Sequence, residues 1–256
     1  MPNFLNAAIN SLKRKNLSVI ADKVLLRLRE GHTNKSEVTK WCAEKSQDWE
    51  SFAQSLNPDL YVETLQVCKN IEIDARIKLD DLGIDLGGGG HYPLLYFLTR
   101  LINPKIVVET GVAAGWSSAA LLTALKNNGG NGKLFSSDFP YFRMKNPERY
   151  IGFVVDDELK KNWNLLIDGD RNSIPEIARR IAGDKIGLFH YDSDKSYAGR
   201  RFAFETLAPH MADDAVIIFD DIQDNFHFRD WAENKNKPWR VFEFGGKFIG
   251  AAGDCF

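Results

Sequence analysis

The sequence predicts an α/β fold in which a largely parallel sheet of βαβ units follows a helical N-terminal region. Three observations carry this. Apolar residues up to about Leu82 recur at helical spacing, a run of four glycines from Gly87 to Gly90 breaks regular structure, and beyond it short β-branched runs alternate with helical stretches. The boundary falls at the glycines, giving a helical region over 1–86 and a second domain over 87–256. The 256 residues are 44% hydrophobic and 27% charged, which excludes a disordered or low-complexity chain. Lys and Arg total 33 against 35 Asp and Glu, so the basic footprint of a general nucleic-acid binder is missing. Cys42, Cys68 and Cys255 lack disulfide-framework or zinc spacing. No apolar run approaches the ~20 residues that span a bilayer, and no signal-peptide core precedes Lys13-Arg14-Lys15, so a cytoplasmic protein is expected.

In the N-terminal region Phe4, Ala8 and Leu12 share one helical face, and Ile20, Val24, Leu25 and Leu28 another. Asn34 with Glu37 resembles a capping box, and Asn57-Pro58 supplies a cap residue and a proline at the first helical position. Beyond the glycines, strands are predicted at Ile106 to Thr110, Lys133 to Ser137, Asn164 to Ile167, Ile186 to Tyr191 and Ala215 to Phe219. Helices are predicted near Ser117 to Lys126, Ile174 to Ile181 and Arg200 to His210. Trp239 to Phe244 and Phe248 to Ala252 are strand-like but separated by Gly245-Gly246-Lys247, too short for a parallel crossover and suited to a hairpin.

Chemistry collects where the strands end. The first runs into Glu109-Thr110-Gly111-Val112-Ala113-Ala114-Gly115-Trp116-Ser117, a loop of small residues that opens a helix. Small side chains admit a ligand to the main chain, and the helix start offers free N–H groups and a positive dipole end. Glu109, Gly111, Ala113, Gly115 and Ser117 therefore read as a cofactor cradle, the alternative being a tight turn that only needs glycines. Asp138, ending the second strand, can accept two hydrogen bonds from a ribose diol or simply open a turn before Pro140. Asp170, after the third, can bind an adenine amino group or cap the next helix. The fourth and fifth strands end in Asp192 and in Asp220-Asp221. Parallel strands bring these acids to one edge, where they can converge as oxygen ligands for a divalent cation or cap the helices that follow. His190, Tyr191 and His227 lie nearby and read as packing residues, and His91 follows the glycines directly.

Taken together, these residues resemble the class I S-adenosylmethionine-dependent methyltransferases, and among them the macrocin-type and catechol-type small-molecule O-methyltransferases, over about Tyr92 to Ala252. Glu109 to Gly115 is similar to that family's first motif, acid-x-Gly-x-Gly/Ala-x-Gly, which holds the amino-acid end of S-adenosylmethionine, and Asp138 is similar to its ribose-binding acid. The resemblance implies a Rossmann-like, doubly wound sheet of seven strands in the order 3-2-1-4-5-7-6 with the last strand antiparallel. Asp192, Asp220 and Asp221 match the metal-binding acids of the catechol-type enzymes, whose third position is often Asn, which implies Mg2+ or another divalent cation. Lys195 falls where those enzymes carry a catalytic lysine and many sugar-modifying relatives a histidine, so catalysis is assigned to Lys195 and Asp192, with Asp192 also beside the cofactor. Helical N-terminal additions in this superfamily commonly cover the acceptor site or form dimer contacts, which makes a homo-oligomer one expectation.

The expected activity is methyl transfer to a small-molecule hydroxyl by in-line displacement, with the cation lowering the hydroxyl's pKa and Lys195 taking its proton if the site depresses the lysine pKa. Neither nucleic acid nor a membrane has a role. Other readings stay open. Asp192-Ser193-Asp194 is a DxD sequence, as in metal-dependent nucleotide-sugar glycosyltransferases, and a non-catalytic cofactor-binding module would share the same loop. A nicotinamide-dependent oxidoreductase leaves the acid-ended fourth and fifth strands unexplained. The tetraglycine run is read as a lid hinge or a flexible connector, and Gly111→Val is expected to abolish cofactor binding with the fold largely intact.

Overall fold

The structure is a computed structural model and describes residues 35–256 apart from 140, 142, 143, 182, 235 and 236. The helical faces from Phe4 to Leu28 and the cap expected at Asn34 lie outside the described residues. Helix α1 (Lys35–Lys45) leads through β1 (Ser46–Gln47) into α2 (Trp49–Leu56) and α3 (Pro58–Leu82). The start predicted at Asn57-Pro58 is present: the Asn57 side chain accepts the Leu60 N–H at 3.0 Å, and proline needs no donor there. Gly83, at φ 64°, ends α3, and an irregular strap carrying the glycines runs to α4 (Tyr92–Ile102).

The sheet then follows as β2 (Ile106–Thr110), β3 (Lys133–Ser137), β4 (Trp163–Leu166), β5 (Ile186–Tyr191), β6 (Met211–Phe219), β7 (Trp239–Phe244) and β8 (Lys247–Ala252). Helices α5 (Trp116–Asn127), α6 (Asp170–Ile181), α7 (Tyr197–Leu207) and α8 (His227–Glu233) connect them. The strand order is β1-β7-β8-β6-β5-β2-β3-β4. Counted from Ile106, that is the expected 3-2-1-4-5-7-6 with one addition, since β1 pairs in parallel with β7 at Val241 and Phe242 and makes the sheet eight-stranded. Two polar residues carry no period, so this strand has no signature in the sequence. Only β8 runs antiparallel to its neighbours, and Gly245 and Gly246, at φ 59° and 78°, form the two-residue turn that its hairpin requires. Strand β6 begins four residues before the predicted Ala215, because Met211 to Asp214 are polar or partly exposed and enter the sheet through a register shift against β5.

Alternation along the strands builds two cores. Val107, Leu134, Leu188, Val216 and Ile218 face α2 to α5, whereas Val108, Phe135, Phe189, Ile217 and Phe219 face α6 to α8 and α1. The strand order reverses between β2 and β5, and in such sheets ligands bind outside the carboxyl ends of the strands at that point. All three cysteines are free, and no described helix is long and apolar enough to cross a membrane.

Candidate active site

Between β2 and α5 the chain turns through Gly111 (φ 80°), Ala113 (φ 49°) and Gly115 (φ 100°). Gly111 lies against the main chain after β5, where a Cβ would fall far inside contact with the Asp192 carbonyl. The residue is thus required by the protein's own backbone crossing, so Gly111→Val must disturb the fold, which corrects the expectation of an intact one. Asp138 holds the loop: its Oδ2 accepts the N–H groups of Val112 (3.1 Å) and Ala113 (2.7 Å), and its Oδ1 that of Phe139 (2.5 Å). Burial pushes this carboxyl up to about 6, against the pull of those donors.

Glu109 is wholly buried and ties β2 to its neighbours, since Oε1 accepts the Ser117 hydroxyl at 2.6 Å and Oε2 accepts those of Ser118 (2.6 Å) and Ser136 (2.8 Å). Asp170 accepts the Ser137 hydroxyl at 2.8 Å and that of Ser193. The expected cofactor residues Glu109, Gly111, Ala113, Gly115, Ser117, Asp138, Asp170 and Asp192 therefore sit on one edge, with their carboxylates largely engaged by the chain itself.

The acids after β5 and β6 divide. Asp221, at φ 50°, places Oδ2 2.7 Å from Lys195 Nζ and Oδ1 3.2 Å from Lys247 Nζ. Burial raises its carboxyl pKa, but the two lysines outweigh this and hold it low. Lys195 also donates to Asp192. Burial opposes the Lys195 charge, yet Asp192 and Asp221 raise its pKa overall, which corrects the expectation of a lysine depressed into a base. Asp220 is the opposite case. It is 2% exposed, neither carboxylate oxygen has a hydrogen-bond partner, and burial followed by the Asp192 charge pushes it up to about 7. Beneath the turn the buried Arg200 donates to the carbonyls of Asp220 (2.9 Å) and Asp221 (2.7 Å) and fixes their peptide planes.

Ligand atoms of His190, Asp192 and Asp220 lie within 4.8 Å of one another, the one such group among the described residues. The set differs from the expected Asp192, Asp220 and Asp221. Strand alternation puts His190 on the face of Glu109, its register partner on β2, while Asp221 is turned to the lysines. The His190 Nδ1 lies 3.8 Å from Glu109 Oε1 without a hydrogen-bond partner; burial opposes its charge, but Glu109, Asp192 and Asp220 raise its pKa. The packing role read for this residue is therefore incomplete, and its position two residues before Asp192 was the signal. His227 and His91 do pack, His227 between the rings of Tyr197 and Phe219 and His91 at 4.2 Å on Phe244. Burial drives them down to about 4 and about 3 respectively.

The glycine run is half spacer and half cover. Gly87 and Gly88 have open space around them, but a Cβ on Gly89 would lie 2.5 Å from Trp116 Cβ, and one on Gly90 would overlap Asp220 Oδ2 and stand 3.7 Å from Asp192 Oδ2. An orphaned carboxylate, a second carboxylate, an imidazole and a cradle kept clear by glycine fit a divalent cation.

Residues 108–222, from the middle of β2 through all the site acids, match the family described as a methyltransferase domain. No curated protein matches the sequence. Solved structures of the same fold include the O-methyltransferase of Bacillus cereus in complex with SAH, at 14% identity over 72% of this chain and 90% of that one, with a TM-score of 0.55. A second is TomG of Streptomyces achromogenes, an O-methyltransferase of tomaymycin synthesis in complex with SAM, at 15% identity over 72% and 88% with a TM-score of 0.56. The SAH-bound methyltransferase PaMTH1 of Podospora anserina is similar over 85% of this chain and 94% of its own, at 13% identity and a TM-score of 0.50.

Proposed function

We propose that this chain, a methyltransferase by its domain and fold, transfers the methyl group of S-adenosylmethionine to a hydroxyl of a small molecule with a divalent cation at the acid edge. One observation carries the reading: a single sheet edge presents both the glycine-bent loop at the start of α5 and, two strands away, an unpartnered buried acid. The two reactants of a displacement need that adjacency, because holding them aligned supplies several kcal/mol of the barrier reduction. Glu109 and the loop from Gly111 to Ser117 hold the amino-acid end of the cofactor, Asp138 its ribose and Asp170 its base. Asp138 must exchange loop N–H groups for ribose hydroxyls, and its high pKa makes that exchange sensitive to pH near 6.

When bound at Asp192 and Asp220, a divalent cation lowers the acceptor hydroxyl's pKa. Lys195 enters as an ammonium, held by Asp221, that orients the acceptor oxygen and stabilises its developing charge; it becomes a base only once its contact with Asp192 is broken. The chain divides at the glycines into an N-terminal region of residues 1–86, whose described helices α1 to α3 serve as the cover on the acceptor side, and a catalytic domain of residues 87–256. In support, Ala75 and Leu79 of α3 pack with Ala114, Trp116 and Val154 beside the loop, and Lys78 donates to the Val154 carbonyl at 2.8 Å. The protein acts in the cytoplasm on small molecules, and the N-terminal helices are where a second copy would contact it.

Calorimetry with the demethylated cofactor, followed by transfer from labelled S-adenosylmethionine to catechols, phenols and sugars, tests the reading. Binding with transfer to one acceptor class is expected, and chelation should stop transfer while leaving cofactor binding in place. Tight binding of a nucleotide sugar or a nicotinamide cofactor, with no response to the sulfur cofactor, would overturn it. The nucleotide-sugar reading needs Asp194 as its second DxD acid, and one oxygen of that carboxylate already accepts the N–H of Ser196 at 3.0 Å within its own loop.

A further inference from the structure

Asp220 and Asp221 are adjacent in sequence and opposite in circumstance. Asp221 is satisfied by two lysines, whereas both oxygens of Asp220 are buried and unpartnered. His190 lies beside it, 1% exposed, with its Nδ1 3.8 Å from Glu109 Oε1 and without a hydrogen-bond partner. Both project toward Asp192, with ligand atoms of all three inside 4.8 Å.

We propose that His190, Asp192 and Asp220 form the cation site, with Asp221 left out of it, and that this nitrogen-and-oxygen set selects a first-row transition cation, Zn2+ or Co2+ most strongly and Mn2+ to a smaller degree, over Mg2+ or Ca2+. The purpose of the site rests on the methyl-transfer reading above; its ligand chemistry does not. Imidazole favours Zn, Fe and Ni, and is rarely offered to Mg2+ or Ca2+, which prefer oxygen alone. Glu109 Oε1 lies 3.8 Å from Nδ1, longer than a hydrogen bond but placed so that a small turn of the ring would make it the outer carboxylate that commonly orients a ligating histidine, with Nε2 then given to the cation. Two carboxylates and an imidazole match a divalent charge, and Gly90 keeps the space beside Asp192 and Asp220 free of any side chain. Lys195 is released from Asp192 without being lost, because Asp221 retains it at 2.7 Å. The acid pair is thereby a division of labour in which Asp220 takes the cation and Asp221 keeps the lysine.

The test is titration of the full chain with Mn2+ followed by pulsed electron paramagnetic resonance, with Mg2+ as competitor. A nitrogen coupling in the Mn2+ spectrum and at least tenfold preference over Mg2+ are expected. His190→Gln should remove the coupling and weaken Mn2+ binding tenfold or more, while Asp221→Asn should stay within about twofold of the parent. Mg2+ binding as tight as Mn2+ without nitrogen coupling, or loss of binding in Asp221→Asn but not in His190→Gln, overturns the assignment. If His190→Gln does not fold, the parent protein's nitrogen coupling and metal preference decide the question alone. Calorimetry with the demethylated cofactor on the same samples reads the methyltransferase proposal separately, so either can fail without the other.

Discussion

The two halves of the sheet edge treat their carboxylates in opposite ways. On the β2 and β3 side Glu109, Asp138 and Asp170 are saturated by serine hydroxyls and backbone N–H groups. On the β5 and β6 side Asp220 has no hydrogen-bond partner, and Asp192 has a lysine that a second acid also holds. A saturated carboxylate shapes the backbone and must trade bonds to bind a ligand, so its contribution to affinity is a difference between two good states. An orphaned one weakens the fold until a partner arrives, and most of its pairing energy is then available for binding.

Removing Glu109 should give the largest effect. Glu109→Ala takes the acceptor from three buried hydroxyls, of which Ser136 keeps its bond from the Trp163 indole, and opens a void, so a loss of ~3–5 kcal/mol in urea unfolding is expected; a loss below ~1 kcal/mol would mean that the serine ring is not structural. Asp138→Ala should weaken binding of the demethylated cofactor by ~1.5–3 kcal/mol, tenfold or more, measured by calorimetry. Unchanged affinity with reduced stability would leave Asp138 as a loop anchor alone.

Asp220→Asn should move stability in the other direction. Its folded pKa, about 7, stands above the ordinary 3.8, so the fold favours the neutral acid and loses stability as pH rises through 7. The amide should therefore stabilise the metal-free protein by ~1–2 kcal/mol at pH 8 and do little below about pH 4, as read by thermal melts across that range. A destabilising result at pH 8 would erase the contrast between the halves. The smallest effect belongs to Lys247→Met, since that lysine is half exposed and its pair with Asp221 is screened; unfolding should shift by no more than ~0.5 kcal/mol.

Much of this was legible in the sequence because it depends on period and punctuation. The strands at Ile106, Lys133 and Ile186, the hairpin closed by Gly245-Gly246 and the cap at Asn57 each follow from local rules, and the parallel order brings every strand-ending acid to one edge. What the sequence by itself determined is which residues share that edge. Only the tertiary structure decided which of them have partners: that Gly111 is pressed by the Asp192 carbonyl, that Gly90 covers Asp220, that β1 joins β7, and that two lysines from separate elements choose Asp221 over its neighbour. The physical reason is range. Alternation and capping act between residues a few positions apart, whereas the pairing of a carboxylate is settled by whatever chain arrives from elsewhere, and burial makes that arrival worth more than any local preference.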